Sequence, residues 1–451
     1  MSQIGTSEQN IIKPSMSAVP PESVKAEPIV RHLFAKVFSR SYLQGTVVLF
    51  DQGFCSIASF LTGVMVARAC GDNKGEYGLY VLGLTLLLTL QFVQRCLVSI
   101  PFTVHSPHLN GRDHATYLGS TLIHHLMLSG IAALSFAILA AVVTSAGRTD
   151  CFPNLLFALA AACVFVLLRD YTRYILLAQL RVWASLQMGL AANVTTIGFL
   201  FWAYKDGWLT APVAYFITGG CSGLPAIIML LTRSKNFSFD KNRFIGDLRI
   251  NWHFGKWTLA ATGASTLGIQ SIPWFVLFWY GSVSVAVFGA LLSVAGIISP
   301  AILGVTTYLT PKLVHQVKTE GLATAMRKGL MMVKIMAVFA VLYIIFICAL
   351  GEKIVGILYT VRYQGHLSAL VIIAVGTGLG AINITLTALI RATGNPEIEF
   401  WSSGYASIVC ILISISLIPM FGIVGAAMAM TGSNLAFAAI TRLQKVWMTQ
   451  H

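Results

Sequence analysis

The stretch YLQGTVVLFDQGFCSIASFLTGVMVAR, residues 42–68, decides the fold class. A bilayer core about 30 Å thick needs roughly 20 apolar residues of helix to cross it. This run is long enough, and it carries a single acid, Asp51, before its closing Arg68. Working outward, comparable runs lie near 76–104, 115–144, 152–179, 182–204, 208–232, 254–279, 282–310, 329–350, 366–390, 397–420 and 423–443. Hydrophobic residues make up 56% of the chain and charged ones 10%, so most of it must face lipid or pack against itself. The sequence therefore predicts an all-α polytopic membrane protein of about 12 transmembrane helices. Little chain is left over for a soluble catalytic domain.

The longest interior polar segment, Thr232–His253, divides the spans into six and six. It predicts an N-terminal lobe over 42–232, a basic cytoplasmic linker over 233–253 and a C-terminal lobe over 254–445. A short repeat supports the division. The first span exits through Gly71 and is followed by Tyr77-Gly78 and an apolar run; the seventh exits through Gly281 and is followed by Phe288-Gly289 and another. Parallel repeats of this kind build transporters whose site lies at the midplane between halves. Ahead of the first span, residues 1–28 hold Pro14, Pro20, Pro21 and Pro28 and no apolar run, which predicts a disordered cytoplasmic tail. In 29–41, Val30, Leu33, Phe34, Val37 and Phe38 share one helix face opposite Arg31, Lys36 and Arg40, the pattern of a helix lying in the headgroup plane.

The net charge of +14 does not point to nucleic acid, because the basic residues concentrate in alternate loops. Arg233, Lys235, Lys241, Arg243, Arg249 and Lys256 crowd the linker, and Lys312, Lys318, Arg327 and Lys328 the connection before the ninth span. Loops of the other parity are sparse in cations. Such bias places both termini in the cytoplasm of a multi-pass membrane protein. The cysteines are scattered without a CxxC pair and read as small apolar fillers. His124 and His125 are adjacent and so point to different helix faces, poor geometry for a shared metal. No metal and no cofactor are expected.

Ionisable groups inside spans are costly, roughly 2.5–3.5 kcal/mol each at the bilayer centre, and mark function by default. Among the acids these are Asp51 and Asp170. Asp51, Cys55, Ser59 and Thr62 form a polar stripe on the first span; Gln91, Gln94 and Arg95 form one on the second, with Ser99 a turn on. Two such stripes would line a hydrated cavity. Arg95 either contacts cargo or pairs with Asp51 to pin two helices. Asp51 is in turn a candidate proton- or cation-coupling carboxylate. Arg169, Asp170 and Arg173, at the end of the fourth span, are either a snorkelling anchor or an inner gate. Gln270, Trp274 and Thr266 offer cavity-facing polar groups from the second lobe, although ordinary interhelical hydrogen bonds would explain them too.

Several motifs look familiar. The run Asp51-Gln52-Gly53-Phe54-Cys55-Ser56, with Phe60, Ala67-Arg68 and Glu76-Tyr77-Gly78-Leu79-Tyr80, resembles the opening hairpin of polysaccharide and O-antigen flippases. These belong to the multidrug/oligosaccharidyl-lipid/polysaccharide exporter superfamily. Leu168-Arg169-Asp170-Tyr171-Thr172-Arg173-Tyr174 is similar to their charged fourth-helix motif. Gly351-Glu352, Ile357-Leu358-Tyr359 and Tyr363 resemble their ninth-to-tenth connection, and Ile418-Pro419 through Gly425-Ala426-Ala427 their last turn. The resemblance covers residues from about 40 to 445. It implies a two-lobed, alternating-access exporter of a lipid-linked saccharide in the bacterial inner membrane, with polysaccharide polymerase or glycosyltransferases as further partners.

With that cargo, Arg95 suits the diphosphate joining sugar to polyprenol, because guanidinium presents a rigid fork of donors. Gln52, Gln91, Gln94, Gln270 and Trp274 are then the remaining substrate-binding candidates. The alternative is a cation-coupled multidrug exporter using Asp51. A membrane glycosyltransferase or polymerase fits poorly, since the longest outward loop, near 351–365, holds one acid, Glu352. Walker-type lysine loops, HExxH and Gly-x-Ser-x-Gly are all missing, which argues against an ATP-driven machine or a hydrolase.

Overall fold

The computed structural model describes residues 27–71, 73–147, 151–234, 237–302, 322–393 and 396–450. Most of the proposed N-terminal tail, 1–26, and the end of the eighth span therefore lie outside the described residues. The described chain is built of long helices: α1 (Glu27–Ala69), α2 (Lys74–Gln94, prolonged to His105), α3 (Gly111–Ser145), α4 (Cys151–Ala178), α5 (Val182–Lys205) and α6 (Ala211–Leu231). A second set follows: α7 (241–280), α8 (282–295), α9 (Leu322–Tyr359), α10 (Leu367–Thr393), α11 (Pro396–Phe421) and α12 (Ile423–Gln450). Eleven stretches among the described residues are long and apolar enough to cross a membrane, and one of them, Thr266–Ala295, contains the bend at Gly281 that separates α7 from α8. The architecture is an all-α, two-lobed membrane bundle.

Residues 29–41 are helical, within Glu27–Ala69. The second half of the linker forms the opening turns of α7. Asp240, in extended conformation, accepts a hydrogen bond from the Asn242 amide at 2.9 Å and so caps that helix. The turns then dock on α3: Tyr117 donates to Asn251 Oδ1 at 2.6 Å, and His124 reaches the Phe244 carbonyl at 3.3 Å. A polar segment is ordered here by capping and side-chain hydrogen bonds, which hydropathy does not register. His124 and His125 do part company as their adjacency requires. His125 turns the other way and stacks on Tyr171 at 4.9 Å.

The repeat seen in the sequence is structural. Gly71 (φ 50°) and Gly281 (φ 76°) both sit in the left-handed region that favours glycine, and each ends the first helix of its half. Their partners Gly78 and Gly289 mark where the halves meet. A Cβ on Gly78 would run into the Ser282 carbonyl of α8, and one on Gly289 would crowd Val81 of α2. Tyr77 and Phe288, beside them, are each 1% exposed. Helices without side chains at the crossing approach until backbone touches side chain or backbone, which gives close van der Waals packing where lipid supplies no hydrophobic drive.

Candidate functional site

The polar residues of the first lobe converge on one cluster. Arg95 holds Asp170 by a two-pronged pair, Nε to Oδ2 at 2.8 Å and Nη2 to Oδ1 at 2.9 Å. Arg173 holds Asp51 at 2.9 Å and donates to Gln52 Oε1 at 3.0 Å. Arg169 donates to Asn193 Oδ1 at 3.1 Å and touches Cys55 Sγ at 3.5 Å. Four helices, α1, α2, α4 and α5, thus share three guanidinium groups and two carboxylates. The structural pairing considered for Arg95 therefore goes to Asp170 and not to Asp51. The three charged residues at the end of α4 belong to the same cluster as Asp51 and Arg95.

The charge balance decides what this cluster can do. Asp51 and Asp170 side chains are 4% and 8% exposed, and each already has a guanidinium. Arg169 meets neutral groups, so one positive charge is left over. The Arg95 side chain is still 37% exposed, and Arg173 Nε is buried without a hydrogen-bond partner among the described residues. An anion is the complement of such a site. Sequence reasoning missed two of its members, Gly189 and Asn193 on α5. They lie one helical turn apart; Asp51 Oδ1 packs where a side chain at 189 would project. An asparagine inside a span was the available signal.

The second span carries an irregularity at the cluster. Residues Arg95–Ser99 form a π turn, with Pro101 just beyond. In a π turn i and i+5 meet, and Gln94 Nε2 accordingly donates to Ser99 Oγ at 3.1 Å. Gln94 is 0% exposed. It is therefore built into the helix and offers nothing to a cargo, contrary to its expected role. Gly255 of α7 presses on this turn: its Cβ position would lie 2.6 Å from the Cys96 carbonyl.

Between the lobes lies a cavity with about 700 Å³ of free space, part of it open, walled by α1, α2, α7, α8 and α12. Ser59, Tyr77, Tyr80, Thr85, Gln270 and Ser293 supply its polar surface. Trp274 is tied to that wall, donating to Thr85 Oγ1 at 3.0 Å. Leu84 and Leu88 line the cavity from α2, and the spacing 84, 88, 91, 95 keeps Gln91 and Arg95 on the same helix face. At 1.5 Å per residue, Arg95 stands about 10 Å along that face from Leu88. On α1 the stripe Asp51, Cys55, Ser59 makes the same connection. The cavity and the cationic cluster are thus joined along two helices.

At the Gly71 end the lobes are fastened together. Arg68 of α1 donates to the Leu358 carbonyl at 2.8 Å and also to that of Ile357, the free carbonyls of the last turn of α9. The Tyr77 ring packs against Tyr359 and Tyr363 with centroids 6.1 and 6.2 Å apart, and Lys74 sits 5.3 Å over the Tyr363 ring. His366 follows. Burial first, then the Lys74 ammonium, pulls its imidazole below the ordinary 6.5, with Glu352 opposing. The fold thus prefers the neutral ring, whose stabilisation is present above about pH 6.5 and is lost as pH falls through the lowered folded-state value. The melting midpoint should drop on acidification below 6.5, and His366→Gln should flatten part of that fall. An unchanged slope in the variant would assign the titration elsewhere.

No family model matches the sequence, and no curated protein matches it. Solved structures do. A multidrug resistance MATE family transporter of the MOP superfamily, in an inward-facing conformation, superposes with a TM-score of 0.70 at 15% identity, over 88% of this chain and 95% of that one. The lipid II flippase MurJ, inward closed, gives 0.66 at 16% identity, over 89% and 87%. A MOP superfamily transporter from Pyrococcus furiosus, whose reverse polarity of binding pocket suggests a different function, gives 0.64 at 14%, over 90% and 95%. At such identities the likeness is one of architecture, and the chain has the fold of MOP-superfamily transporters.

Proposed function

We propose that this protein is an alternating-access flippase that moves a polyprenyl-diphosphate-linked oligosaccharide across the bacterial inner membrane for surface polysaccharide synthesis. The observation that carries the reading is the surplus positive charge of the Arg95–Arg169–Arg173 cluster, set on the same helix faces as an uncharged, largely apolar cavity that carries a few hydroxyl and amide groups. A glycan headgroup would lose its water hydrogen bonds in hydrocarbon, at roughly 2–7 kcal/mol for each unpaired group. Hydroxyl and amide groups of Ser59, Tyr80 and Gln270 would replace part of them in the cavity, while the Trp274 indole, expected as a cargo contact, is already spent on Thr85. The diphosphate would meet Arg95, with Gln91 alongside and Gln52 holding Arg173. The lipid tail stays in the bilayer. Both termini would be cytoplasmic, with the Gly71 end outward. In that orientation the Arg68 and tyrosine contacts are a shut outer gate, and glycosyltransferases would supply cargo from inside. That lipid II is handled by a protein of this fold supports the reading.

Cation-coupled multidrug export is the competing reading, favoured by the architectural likeness to MATE transporters. It requires Asp51 to exchange a cation, yet that carboxylate is held by Arg173 at 2.9 Å. Asp51→Asn in proteoliposomes separates the two. Translocation of a polyprenyl-diphosphate oligosaccharide by the variant should lose no proton-gradient dependence that the native protein shows. Coupled efflux of a cationic dye that vanishes in Asp51→Asn would instead establish the exporter.

A further inference from the structure

A second basic site lies apart from the transport cluster, where α4 and α6 end at the face that carries the basic linker. A narrow groove there has about 270 Å³ of free space out to its mouth, and its walls include Leu118, Ile175, Met229 and Leu230. Three polar side chains break this apolar lining, Thr172, Gln179 and Arg233; the Thr172 hydroxyl is spent on the Leu168 carbonyl, and no acid is among the lining residues. Arg233 Nη1 is buried with no hydrogen-bond partner among the described residues. Arg181 is near enough for its charge to act on Arg233; burial first, then Arg181, lowers the Arg233 guanidinium from its ordinary value. An unpartnered guanidinium nitrogen of Arg233 thus borders an apolar slot, with the charge of the exposed Arg181 side chain in its neighbourhood.

The local backbone is fixed on both sides. Leu180 adopts φ 57°, a left-handed conformation that a leucine takes up only at a cost. The Arg181 amide closes the turn by donating to the Leu176 carbonyl at 2.8 Å. Leu180 itself is 70% exposed, an apolar side chain directed outward at the membrane boundary. From the other side, the Ser238 amide donates to the Ala115 carbonyl at 3.1 Å and fixes the chain after Arg233 on α3.

We propose that this groove is a headgroup site for an anionic phospholipid of the surrounding leaflet, with the phosphate against Arg233 and Arg181 and an acyl chain along the Leu118–Ile175–Met229–Leu230 wall. Among the described residues no carboxylate pairs with Arg233, and the slot opens where span ends meet headgroups. Basic pockets between transmembrane helices on the basic-loop side take anionic headgroups for these reasons. Arginine suits the task, since its planar fork can hold two phosphate oxygens at once. A bound lipid here would tie α4, which carries Arg169, Asp170 and Arg173, to the α6 end and the linker.

The test uses the full chain purified in detergent, titrated with phosphatidylglycerol or phosphatidylcholine, with bound lipids counted by native mass spectrometry. Phosphatidylglycerol should be retained at least about fivefold better than phosphatidylcholine. In the Arg181→Gln/Arg233→Gln double variant that preference should disappear, while Arg233→Lys keeps part of it. Equal retention of the two lipids by the native protein, or full preference in the double variant, would overturn the proposal. So would inorganic phosphate alone reproducing the stabilisation that the lipid gives. Should the double variant not fold, quenching of the native protein's tryptophans by brominated lipids decides, Trp183 being 55% exposed two residues from Arg181. Stronger quenching by the phosphatidylglycerol form is expected, and equal quenching by the two forms refutes the site.

Discussion

The Arg95→Gln variant is expected to lose translocation of its lipid-linked cargo by two orders of magnitude or more, and also to lose folded protein. Removing one partner of a desolvated ion pair leaves the other uncompensated, at about 3–5 kcal/mol, and Asp170 at 8% exposure is such a partner. The double variant Arg95→Gln/Asp170→Asn separates structure from function. Neutralising both ends leaves amide groups able to hydrogen-bond, so the amount and melting midpoint of the folded protein should recover. Translocation should stay abolished, because the fork that meets the phosphate is still missing. Recovery of transport in the double variant would show that Arg95 serves only to pin α2 to α4.

The second large effect concerns the crossing of the two lobes. Gly78→Leu places a side chain where the Ser282 carbonyl already lies. A backbone oxygen cannot step aside as the end of a flexible side chain can, so α2 and α8 must separate along their packed length. Overpacking of an ordinary core costs about 1–3 kcal/mol; here the expected outcome is loss of closure at the Gly71 end, with the variant still inserted. Cysteine labelling at position 363 reads this directly. Tyr363 is 1% exposed, so Tyr363→Cys should be protected from an impermeant maleimide in the native background and labelled readily in Gly78→Leu. Protection in both backgrounds would mean that the crossing tolerates the extra side chain.

Hydropathy, charge bias and turn glycines made the membrane bundle legible in the sequence, because each acts along a single segment. Gly71 and Gly281 were readable for the same reason: a helix hairpin needs its turn residue at a fixed place in the chain. The partner of Arg95 was not readable in that way. Face periodicity says which way Asp51 and Arg95 point on their own helices, but not which neighbouring helix lies opposite or at what height. The sequence offers Asp51 as the partner of Arg95 and assigns Asp170 to an anchor or gate, whereas the placement of α4 brings Asp170 to Arg95. Gln94 failed for another reason. The argument for a stripe assumed regular α spacing, whereas the π turn pairs Gln94 with Ser99 and takes it out of the wall. The helical order in the second half of the linker is not legible from composition, because a cap at Asp240 and bonds from Tyr117 and His124 establish it.

A π turn is what remains when a helix absorbs one inserted residue without unwinding. The second span therefore carries two angular phases joined at Arg95: one aligned with Leu84 and Leu88, the other with Pro101 and Phe102. Each can match its own neighbours, α8 at one end and α7 through Gly255 at the other, without a compromise between them. Substitutions that retune one end need not disturb the other, and the arginine stands at the seam where the two registers are reconciled.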